Sequence, residues 1–258
     1  IPGSEGSGTI IAIGDGVTTL SVGDRVAYAS APPGAYTQSR VIAAERVVAL
    51  PDTINDDTAA AMMLQGMTVQ YLLRRTYRVQ SGDTVLVHAA AGGVGLIACQ
   101  WLKQLGATVI GTVGSDEKAE LASAHGCDHP IIYTRENFAE RVREITNGDG
   151  VPVVYDSIGK DTFEGSLDCL APLGMFVSFG NASGPLAPFD PGILAAKGSL
   201  FFTRPSLVHY TAKSSDLQQS AKDLFDAVAK GLKIEINQRF PLKDAAAAHT
   251  ALEARETT

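Results

Sequence analysis

The chain has 258 residues, of which 45% are hydrophobic and 19% are charged, with 21 Lys and Arg against 28 Asp and Glu. This composition excludes a globally disordered chain, and the net charge of -7 disfavours nucleic acid as the main partner, because phosphate binding needs a surplus of basic residues. The apolar runs are too short for a membrane helix, and three separated cysteines without a CxxC pair are typical of a reducing compartment, so we expect a cytoplasmic protein of one or two domains.

The first part of the chain predicts short strands followed by a helix. Residues 9–13 (TIIAI) and 25–29 (RVAYA) are apolar runs bounded by glycine turns, which indicates a small β-rich module. Residues 56–77 predict a helix, because acidic residues and Thr58 crowd its start and apolar residues fill its turns. We expect Gly66 to interrupt or kink this helix.

From residue 84 onward the chain alternates between strands and helices. This alternation predicts a doubly wound α/β fold, in which a parallel sheet is covered by helices on its faces. The final part predicts a helix at 214–231, a strand at 234–240 and a helix at 242–255. The predicted strands of the sheet are residues 84–88, 108–113, 130–133, 151–155, 175–179 and 200–203, and the helices between them are 96–105, 115–125, 137–146 and 161–170.

Residues 88–95 (HAAAGGVG) follow a predicted strand and open a predicted helix, which is the context of a dinucleotide-binding fingerprint. Ala90, Gly92 and Gly95 occupy the positions of its three glycines. Gly92 would let the backbone approach a pyrophosphate, Gly95 would let the helix pack on the strand, and the helix N-terminus would offer N–H groups to the phosphates. The alternative is a purely structural glycine turn.

The end of the next strand bears on the choice between the two nicotinamide dinucleotides. NAD-binding domains usually carry a carboxylate there, whereas this strand ends without one. The hydroxyl of Ser115 and the ammonium of Lys118 would instead suit a 2′-phosphate. Asp116 and Glu117 argue against this, but acidic residues in the first turn of a helix also suit its dipole. We therefore predict NADPH as the cofactor.

The sequence offers no metal-ligand spacing and no Tyr-x-x-x-Lys pair after the fourth strand. Of the five histidines, His88 ends a strand, and we expect it to be a buried, hydrogen-bonded residue. We identify no catalytic residue and predict no metal. A quinone or an α,β-unsaturated carbonyl fits zinc-free hydride transfer, because such an acceptor moves the incoming charge onto its own oxygen.

The segment Gly3-Ser4-Glu5-Gly6-Ser7-Gly8 resembles the G-x-E-x-x-G motif of the medium-chain dehydrogenase/reductases, with Ser4 where the zinc enzymes of that superfamily have a ligand histidine. Together with seven further segments spread over essentially the whole chain, it is similar to the zeta-crystallin-type NADPH:quinone oxidoreductases. These segments are 23–26 (GDRV), 34–36 (GAY), 65–73 (QGMTVQYLL), 88–95 (HAAAGGVG), 154–159 (VYDSIG), 177–181 (VSFGN) and 203–206 (TRPS).

The resemblance implies a Rossmann domain at 66–204 and a GroES-like catalytic domain formed by residues 1–65 and 205–258. Members of the family have a segment before the G-x-E motif and a strand after the final helix, neither of which this sequence shows. The chain also opens at Ile1 without an initiator Met. We therefore expect a partial GroES-like domain and a chain taken from inside a longer protein.

The resemblance also implies a set of cofactor-binding residues. Thr68 and Tyr71 would lie on the nicotinamide side, although Thr68 could instead bond its own helix backbone and Tyr71 could be a core residue. Gly180 and Asn181 could likewise form a simple turn. Besides Thr68 and Tyr71, the set comprises Gly92, Gly93 and Val94 for the pyrophosphate, Gly114, Ser115, Lys118 and Tyr133 for the 2′-phosphate, Ser157, Phe179, Gly180 and Asn181 where the cofactor crosses the strand ends, Phe202, Thr203 and Arg204 near the carboxamide, and Arg255.

The leading hypothesis for function is an NADPH-dependent, zinc-independent quinone reductase. One alternative is an NADPH-dependent reductase of enones or alkenals, and another is a truncated, non-enzymatic protein that binds NADPH or single-stranded RNA. We also expect a homodimer, because the stretch 198–203 would form an apolar edge strand that can pair with its twin.

Overall fold

The computed structural model describes residues 2–30 and 32–254, and the chain forms two compact units. The first unit comprises Ile1–Thr68 and Leu207–Thr258, and the second comprises Val69–Ser206. Each unit has a β-sheet of its own. No helix in the described ranges is long and apolar enough to cross a membrane.

The first unit contains a three-stranded antiparallel sheet of β1 (Glu5–Thr9), β2 (Arg25–Ala29) and β3 (Val48–Ala49). The predicted strand at 9–13 is wrong beyond its first residue, because the glycine-rich segment before it pairs with β2 instead. Gly6 makes this pairing close, since a Cβ at that position would lie 2.7 Å from the Tyr28 hydroxyl. The apolar side chains of Ile11 and Ile13, in the predicted strand, are exposed.

Helix α1 (Asp56–Tyr71) is continuous and passes into one π turn at Leu72–Thr76. The expected break at Gly66 is therefore wrong. A Cβ at Gly66 would lie 2.5 Å from Cδ1 of Leu224, which is fully buried on helix α8 (Ser214–Ala229). This glycine allows close packing of the two helices and does not end one of them.

The second unit is a six-stranded, wholly parallel sheet in the order β6-β5-β4-β7-β8-β9, which confirms the predicted doubly wound fold. The order reverses between β4 and β7, and ligands of such sheets bind at the carboxyl ends of the strands at this switch point. Its elements are β4 (Thr84–Val87), α2 (Gly93–Gln104), β5 (Thr108–Val113), α3 (Asp116–Ala124), β6 (His129–Ile132), α4 (Phe138–Ile145), β7 (Val151–Asp156), α5 (Phe163–Cys169), β8 (Leu170–Ser178), α6 (Gly192–Ala196) and β9 (Phe201–Thr203).

The core of the second unit lies between the sheet and its helices. Leu86, Ile110 and Val154 on the central strands have no exposed surface. Phe176 on β8 is also fully buried and stacks on Phe202 of β9, with ring centroids 5.6 Å apart. Burial of these side chains is the main stabilising contribution, and it fixes the strand ends from which the loops emerge.

The rest of the first unit is helical or irregular. It contains α7 (Leu207–Tyr210), α8, a 3₁₀ turn at Leu242–Asp244 and α9 (Ala245–Glu253). The predicted strand at 234–240 is wrong, because the three-stranded sheet found in the described residues does not include it. An apolar alternation predicts a strand only where a neighbouring strand completes the ladder.

Replacing Gly66 by Ala tests the packing of α1 on α8. We expect Gly66→Ala to lower the free energy of unfolding by about 1–3 kcal/mol, because the new methyl group overpacks against Leu224 although Ala is the better helix former. Urea denaturation measures the change. Gly8→Ala is the control, because a Cβ there meets nothing within 4 Å. A double variant Gly66→Ala/Leu224→Ala should lose less than the sum of the two single losses, and strict additivity would contradict the contact.

Candidate functional site

The loop between β4 and α2 places several backbone N–H groups at the switch point of the sheet. Gly92 takes the position before the first helical residue, with φ -82° and ψ 169°, and its N–H donates to the carbonyl of Ala89. Gly93, Val94 and Gly95 form the first turn of α2, whose N–H groups have no acceptor within the helix. These amides and the helix dipole make the loop suitable for an anion.

The two glycines of this loop serve different purposes. A Cβ at Gly95 would lie 2.3 Å from the carbonyl oxygen of Ala89, so the loop can close on the helix only if Gly95 has no side chain. Gly92 has a backbone conformation open to any residue, and a Cβ there would meet only that oxygen, at 3.3 Å. The left-handed residue of the loop is Ala89, with φ 53°. Apart from that oxygen the space beside Gly92 is open within 4 Å, and this open space, the glycine cradle, would let a diphosphate approach the backbone.

The residues predicted to hold a 2′-phosphate lie together at the end of β5. A Cβ at Gly114 would be 3.1 Å from the Tyr133 hydroxyl, and the backbone N–H of Lys118 donates to Ser115 Oγ at 3.4 Å. The Lys118 side chain and the Tyr133 ring are exposed. The Lys118 ammonium, the Tyr133 phenol and the Ser115 hydroxyl thus lie at this edge of the sheet.

Arg135 belongs to the same edge, and the sequence did not identify it. Its guanidinium donates to both oxygens of Asp116, at 2.9 and 2.7 Å, and these hydrogen bonds lower the pKa of that carboxyl. The hydrogen bond from Ser115 likewise lowers the pKa of Glu117. Asp116 follows β5 and Arg135 follows β6, and the two meet because these strands are parallel neighbours. Only a knowledge of this strand pairing could have indicated the contact from the sequence.

The loops after β7 and β8 are also brought together. The N–H of Phe179 donates to the carbonyl of Asp156 at 2.8 Å, and the N–H of Ala182 donates to that of Ser157 at 3.1 Å. A Cβ at Gly180 would lie 2.5 Å from the Ser157 oxygen, which explains the glycine. Ser157, Phe179, Gly180 and Asn181 therefore form one paired edge beside the switch point.

The residues predicted near the carboxamide, Phe202, Thr203 and Arg204, have different surroundings at the end of β9. The half-buried Phe202 ring stacks on Phe176 and packs against the core of the second unit. Thr203 pairs with Val177 on β8. Arg204 donates from Nη1 to the carbonyl of Ser178 at 3.1 Å.

Three further residues were predicted to bind the cofactor: Thr68, Tyr71 and Arg255. The Thr68 hydroxyl donates to the carbonyl of Leu64, one turn earlier in α1, at 2.7 Å. Tyr71 is 3% exposed and belongs to the buried core. Arg255 lies outside the described residues.

A buried polar network lies beneath the switch point, of which the sequence indicated only His88. The His88 ring forms hydrogen bonds of 2.9 Å with Thr112 Oγ1 on β5 and with Ser166 Oγ on α5. Its Nε2 is 4.0 Å from Asp156 Oδ2. Burial lowers the pKa of His88, which the Asp156 charge opposes, so the imidazole is neutral at pH 7.

Asp156 fixes the turn that follows β7. Its Oδ1 accepts the N–H groups of Ile158 at 2.7 Å and of Gly159 at 2.9 Å, and its Oδ2 accepts the Thr162 hydroxyl at 2.6 Å. The carboxylate has no exposed surface, so these hydrogen bonds replace its lost hydration. The network thus holds both the start of the glycine loop and the turn at 157–159.

The first unit contains a half-buried carboxyl of interest, Glu5 of the G-x-E-x-x-G segment. Its Oε2 accepts the N–H of Leu64 in α1 at 2.7 Å. Burial raises the pKa of Glu5 to about 7, although this hydrogen bond opposes the shift. Across the described residues, no group of three or more His, Cys, Asp or Glu side chains could hold a metal ion.

Two family profiles match the chain. The one described as zinc-binding dehydrogenase matches residues 93–229, and the one described as alcohol dehydrogenase GroES-like domain matches residues 1–52. A quinone oxidoreductase of Pseudomonas aeruginosa is 57% identical over 257 residues, which cover 99% of this chain and 79% of the relative. A 2-haloacrylate reductase of Burkholderia is 49% identical, with 100% and 78% covered. The crystal structure of an Escherichia coli quinone oxidoreductase complexed with NADPH is 48% identical with a TM-score of 0.96, and the match covers 100% of this chain and 80% of that one.

The neutral state of His88 predicts how stability depends on pH. The pKa of His88 in the folded protein lies below the value near 6.5 of an unfolded chain. As the pH falls, the unfolded state therefore binds a proton at His88 at a higher pH than the folded state does. The free energy of unfolding should therefore fall as the pH is lowered below about 6.5. Denaturation curves at several pH values should show a smaller acid loss for His88→Gln than for the parent. The exposed His209→Gln is the control, and equal acid losses in all three proteins would refute the assignment.

Proposed function

The chain belongs to the medium-chain dehydrogenase/reductase family, and on this basis we propose that it is an NADPH-dependent quinone oxidoreductase. The observation that carries the proposal is the glycine cradle between β4 and α2, in a chain 57% identical to a quinone oxidoreductase. We propose that Val69–Ser206 is the cofactor-binding domain and that the other unit is the catalytic domain.

The geometry supports an assignment of each loop to one part of the cofactor. The N–H groups of Gly93 and Val94, beside the bare Gly92, would bind the pyrophosphate. Ser115, Lys118, Tyr133 and Arg135 would surround the 2′-phosphate, since hydroxyl, ammonium and guanidinium groups all suit a dianion. The loops after the next three strands, with Ser157, Phe179, Gly180, Asn181, Thr203 and Arg204, would hold the nicotinamide half.

When bound, NADPH supplies a hydride from its nicotinamide ring. The residues of the chain bind and orient the two reactants, and we assign no catalytic acid. A quinone spreads the incoming charge over its own oxygens, so the reaction needs only a hydrogen-bond donor or water there. The Thr68 hydroxyl keeps free lone pairs while it donates to Leu64, and it is our candidate for a group on the nicotinamide side.

A second candidate activity is the reduction of a carbon–carbon double bond conjugated to a carbonyl. The specific observation in its favour is the 49% identity to a 2-haloacrylate reductase. Both acceptors take a hydride and delocalise the charge onto oxygen, so the same cofactor site serves either. The RNA-binding alternative has less support, because the net charge is -7.

We infer a homodimer formed through β9 and a cytoplasmic location. Strand β9 is an edge of the six-stranded sheet, and Phe201 on it is 56% exposed. Leu173 on the neighbouring β8 is 67% exposed, so an apolar edge is available for pairing with a second copy. Three free cysteines support a reducing compartment.

The proposed activity is tested by oxidation of NADPH in the presence of small quinones, enones and 2-haloacrylate. We expect kcat/KM for a simple benzoquinone to exceed that for the other acceptors by about tenfold or more, a difference of roughly 1.4 kcal/mol in the barrier. Gly92→Ala should remove most of this activity while the protein stays folded, because its methyl group enters the cradle. Gly14→Ala is the control, since a Cβ there meets nothing. Turnover of the enone alone would favour the second candidate, and no turnover of any acceptor would refute both.

The assignment of the 2′-phosphate site is tested by Lys118→Ala. Loss of one charge-assisted hydrogen bond should raise KM for NADPH by about 10–100-fold and leave KM for NADH unchanged. Arg135→Ala should act in the same direction, because it leaves the Asp116 carboxylate unpaired beside the phosphate. Lys222→Ala on α8 is the control, since that lysine is paired with Asp226 in the other unit. Equal effects on both dinucleotides would contradict the assignment.

A further inference from the structure

The Glu5 carboxyl meets helix α1 on a face that stays partly accessible in the first unit. Its Oε2 accepts the N–H of Leu64 at 2.7 Å. Leu64 and Thr68 are half-buried, whereas Met63 and Met67 next to them have no exposed surface. Leu64 and Thr68 are one helical turn apart, about 6 Å along the axis. The Thr68 hydroxyl donates to the carbonyl of Leu64 at 2.7 Å, so Glu5 and Thr68 both bond to the same residue of this face.

The hydrogen bond from Leu64 leaves one oxygen of the carboxyl open. Among the described residues, Leu64 is the one hydrogen-bond partner of the Glu5 carboxyl, and it engages only Oε2. The described buried side-chain atoms that lack a hydrogen-bond partner do not include Oε1, so this oxygen keeps contact with solvent. When the carboxyl is protonated, the proton lies on Oε1, because Oε2 is the acceptor of the Leu64 N–H. The proton therefore faces water and not the helix backbone.

The surroundings of Glu5 let it hold and release a proton near neutral pH. Burial raises the pKa of Glu5 to about 7, the Leu64 hydrogen bond opposes this shift, and no charged neighbour causes it. A carboxyl with such a pKa is protonated in about half of the molecules at pH 7, where a general acid works best. The titratable and charged side chains on the elements next to Glu5 are Arg25 and Tyr28 on β2, Tyr36 in the segment whose backbone bonds to Gly3, His249 against the Tyr36 ring, and Asp56, Asp57 and Tyr71 on α1.

We propose that the Glu5 carboxyl is the proton source for the acceptor, and this inference rests on the quinone reductase function proposed above. Delivery of a hydride leaves a quinone as a hydroquinone anion, which needs one more proton. The Oε1–H bond of Glu5 breaks as an O–H bond forms on the anionic oxygen, directly or through one water. The products are the hydroquinone and the Glu5 carboxylate, and solvent then returns a proton to Oε1.

A purely structural role for Glu5 would be to anchor β1 to α1. Leu64 is an interior residue of α1, and the N–H of such a residue already has the carbonyl four residues earlier as its acceptor, so the helix does not need the carboxyl. An anchor accepts the Leu64 N–H in either protonation state, so its titration would leave kcat unchanged. A proton source works only while it is protonated, so kcat falls as the pH rises through the pKa of Glu5. The pH dependence of kcat therefore separates the two roles.

The role in turnover is tested on the full chain with NADPH and a simple benzoquinone at several pH values. We expect kcat of the parent to fall as the pH rises above about 7. Glu5→Gln keeps an acceptor for the Leu64 N–H but has no proton to give. It should lower kcat at mildly acidic pH by about tenfold or more, leave KM for NADPH unchanged and remove this pH dependence. Glu5→Asp should recover part of kcat, and Glu45→Gln, which removes an exposed carboxyl of the same unit, is the control.

The protonation of Glu5 is measured without turnover, by infrared spectroscopy of protein that carries isotope-labelled glutamate. Ordinary glutamates have a pKa near 4.3 and are ionised at neutral pH, so a glutamate carbonyl band that titrates near pH 7 belongs to a carboxyl with a raised pKa. The band should be present in the parent and in Glu45→Gln, and absent from Glu5→Gln. A parent without this band would overturn the proposal, whether or not Glu5→Gln folds.

The outcomes distinguish a failure of this proposal from a failure of the proposed function. If Glu5→Gln has the kcat and the pH profile of the parent, the proton source is overturned and the quinone reductase stands. If Glu5→Gln loses kcat equally at every pH and keeps the pH profile, Glu5 is an anchor and the proposal is again overturned. If the parent oxidises no NADPH with any acceptor, the proposed function is refuted, and the role of Glu5 in turnover is refuted with it.

Discussion

The loops of the candidate site depend on one buried carboxylate, that of Asp156. A carboxylate without exposed surface is stable only when hydrogen bonds replace its water, and here they come from the turn that follows β7 and from Thr162 near the start of α5. Ser166 and His88 extend the same network to the glycine loop. One group at the switch point therefore sets the positions of two ligand loops together, and disorder in either would leave buried polar groups unsatisfied.

The two ends of the candidate cofactor site rely on different kinds of interaction. On the proposed assignment, the pyrophosphate would be bound by backbone N–H groups, so the shape of the loop matters most, and Gly95 fixes the approach of α2 to the loop. The adenosine 2′-phosphate would be bound by side chains, among which Lys118 and Tyr133 are exposed. Binding at the first end would therefore depend on how the helices pack on the sheet, and binding at the second end would depend on the charge of surface side chains.

The sequence predicted the parallel sheet well, because each buried strand is a short apolar run, such as Thr108–Val113. It predicted the first unit less well, because the pairing of Glu5 with Ala29 and the packing of Gly66 on Leu224 join residues far apart in the chain. The same holds within the site. The glycine loop is a local pattern and was found, whereas the bond of Arg135 to Asp116 and the hydrogen bonds of Asp156 arise only from the folded sheet.

The exposed pair of Asp116 and Arg135 has a consequence for the history of such a domain. Both side chains lie on the surface and contact no core residue in the network described above, so either can be exchanged with little effect on folding. Lys118 is equally accessible to substitution. On the proposed assignment of the 2′-phosphate site, the preference between the two dinucleotides can therefore change in evolution through a few surface substitutions that leave the glycine loop and its buried network intact.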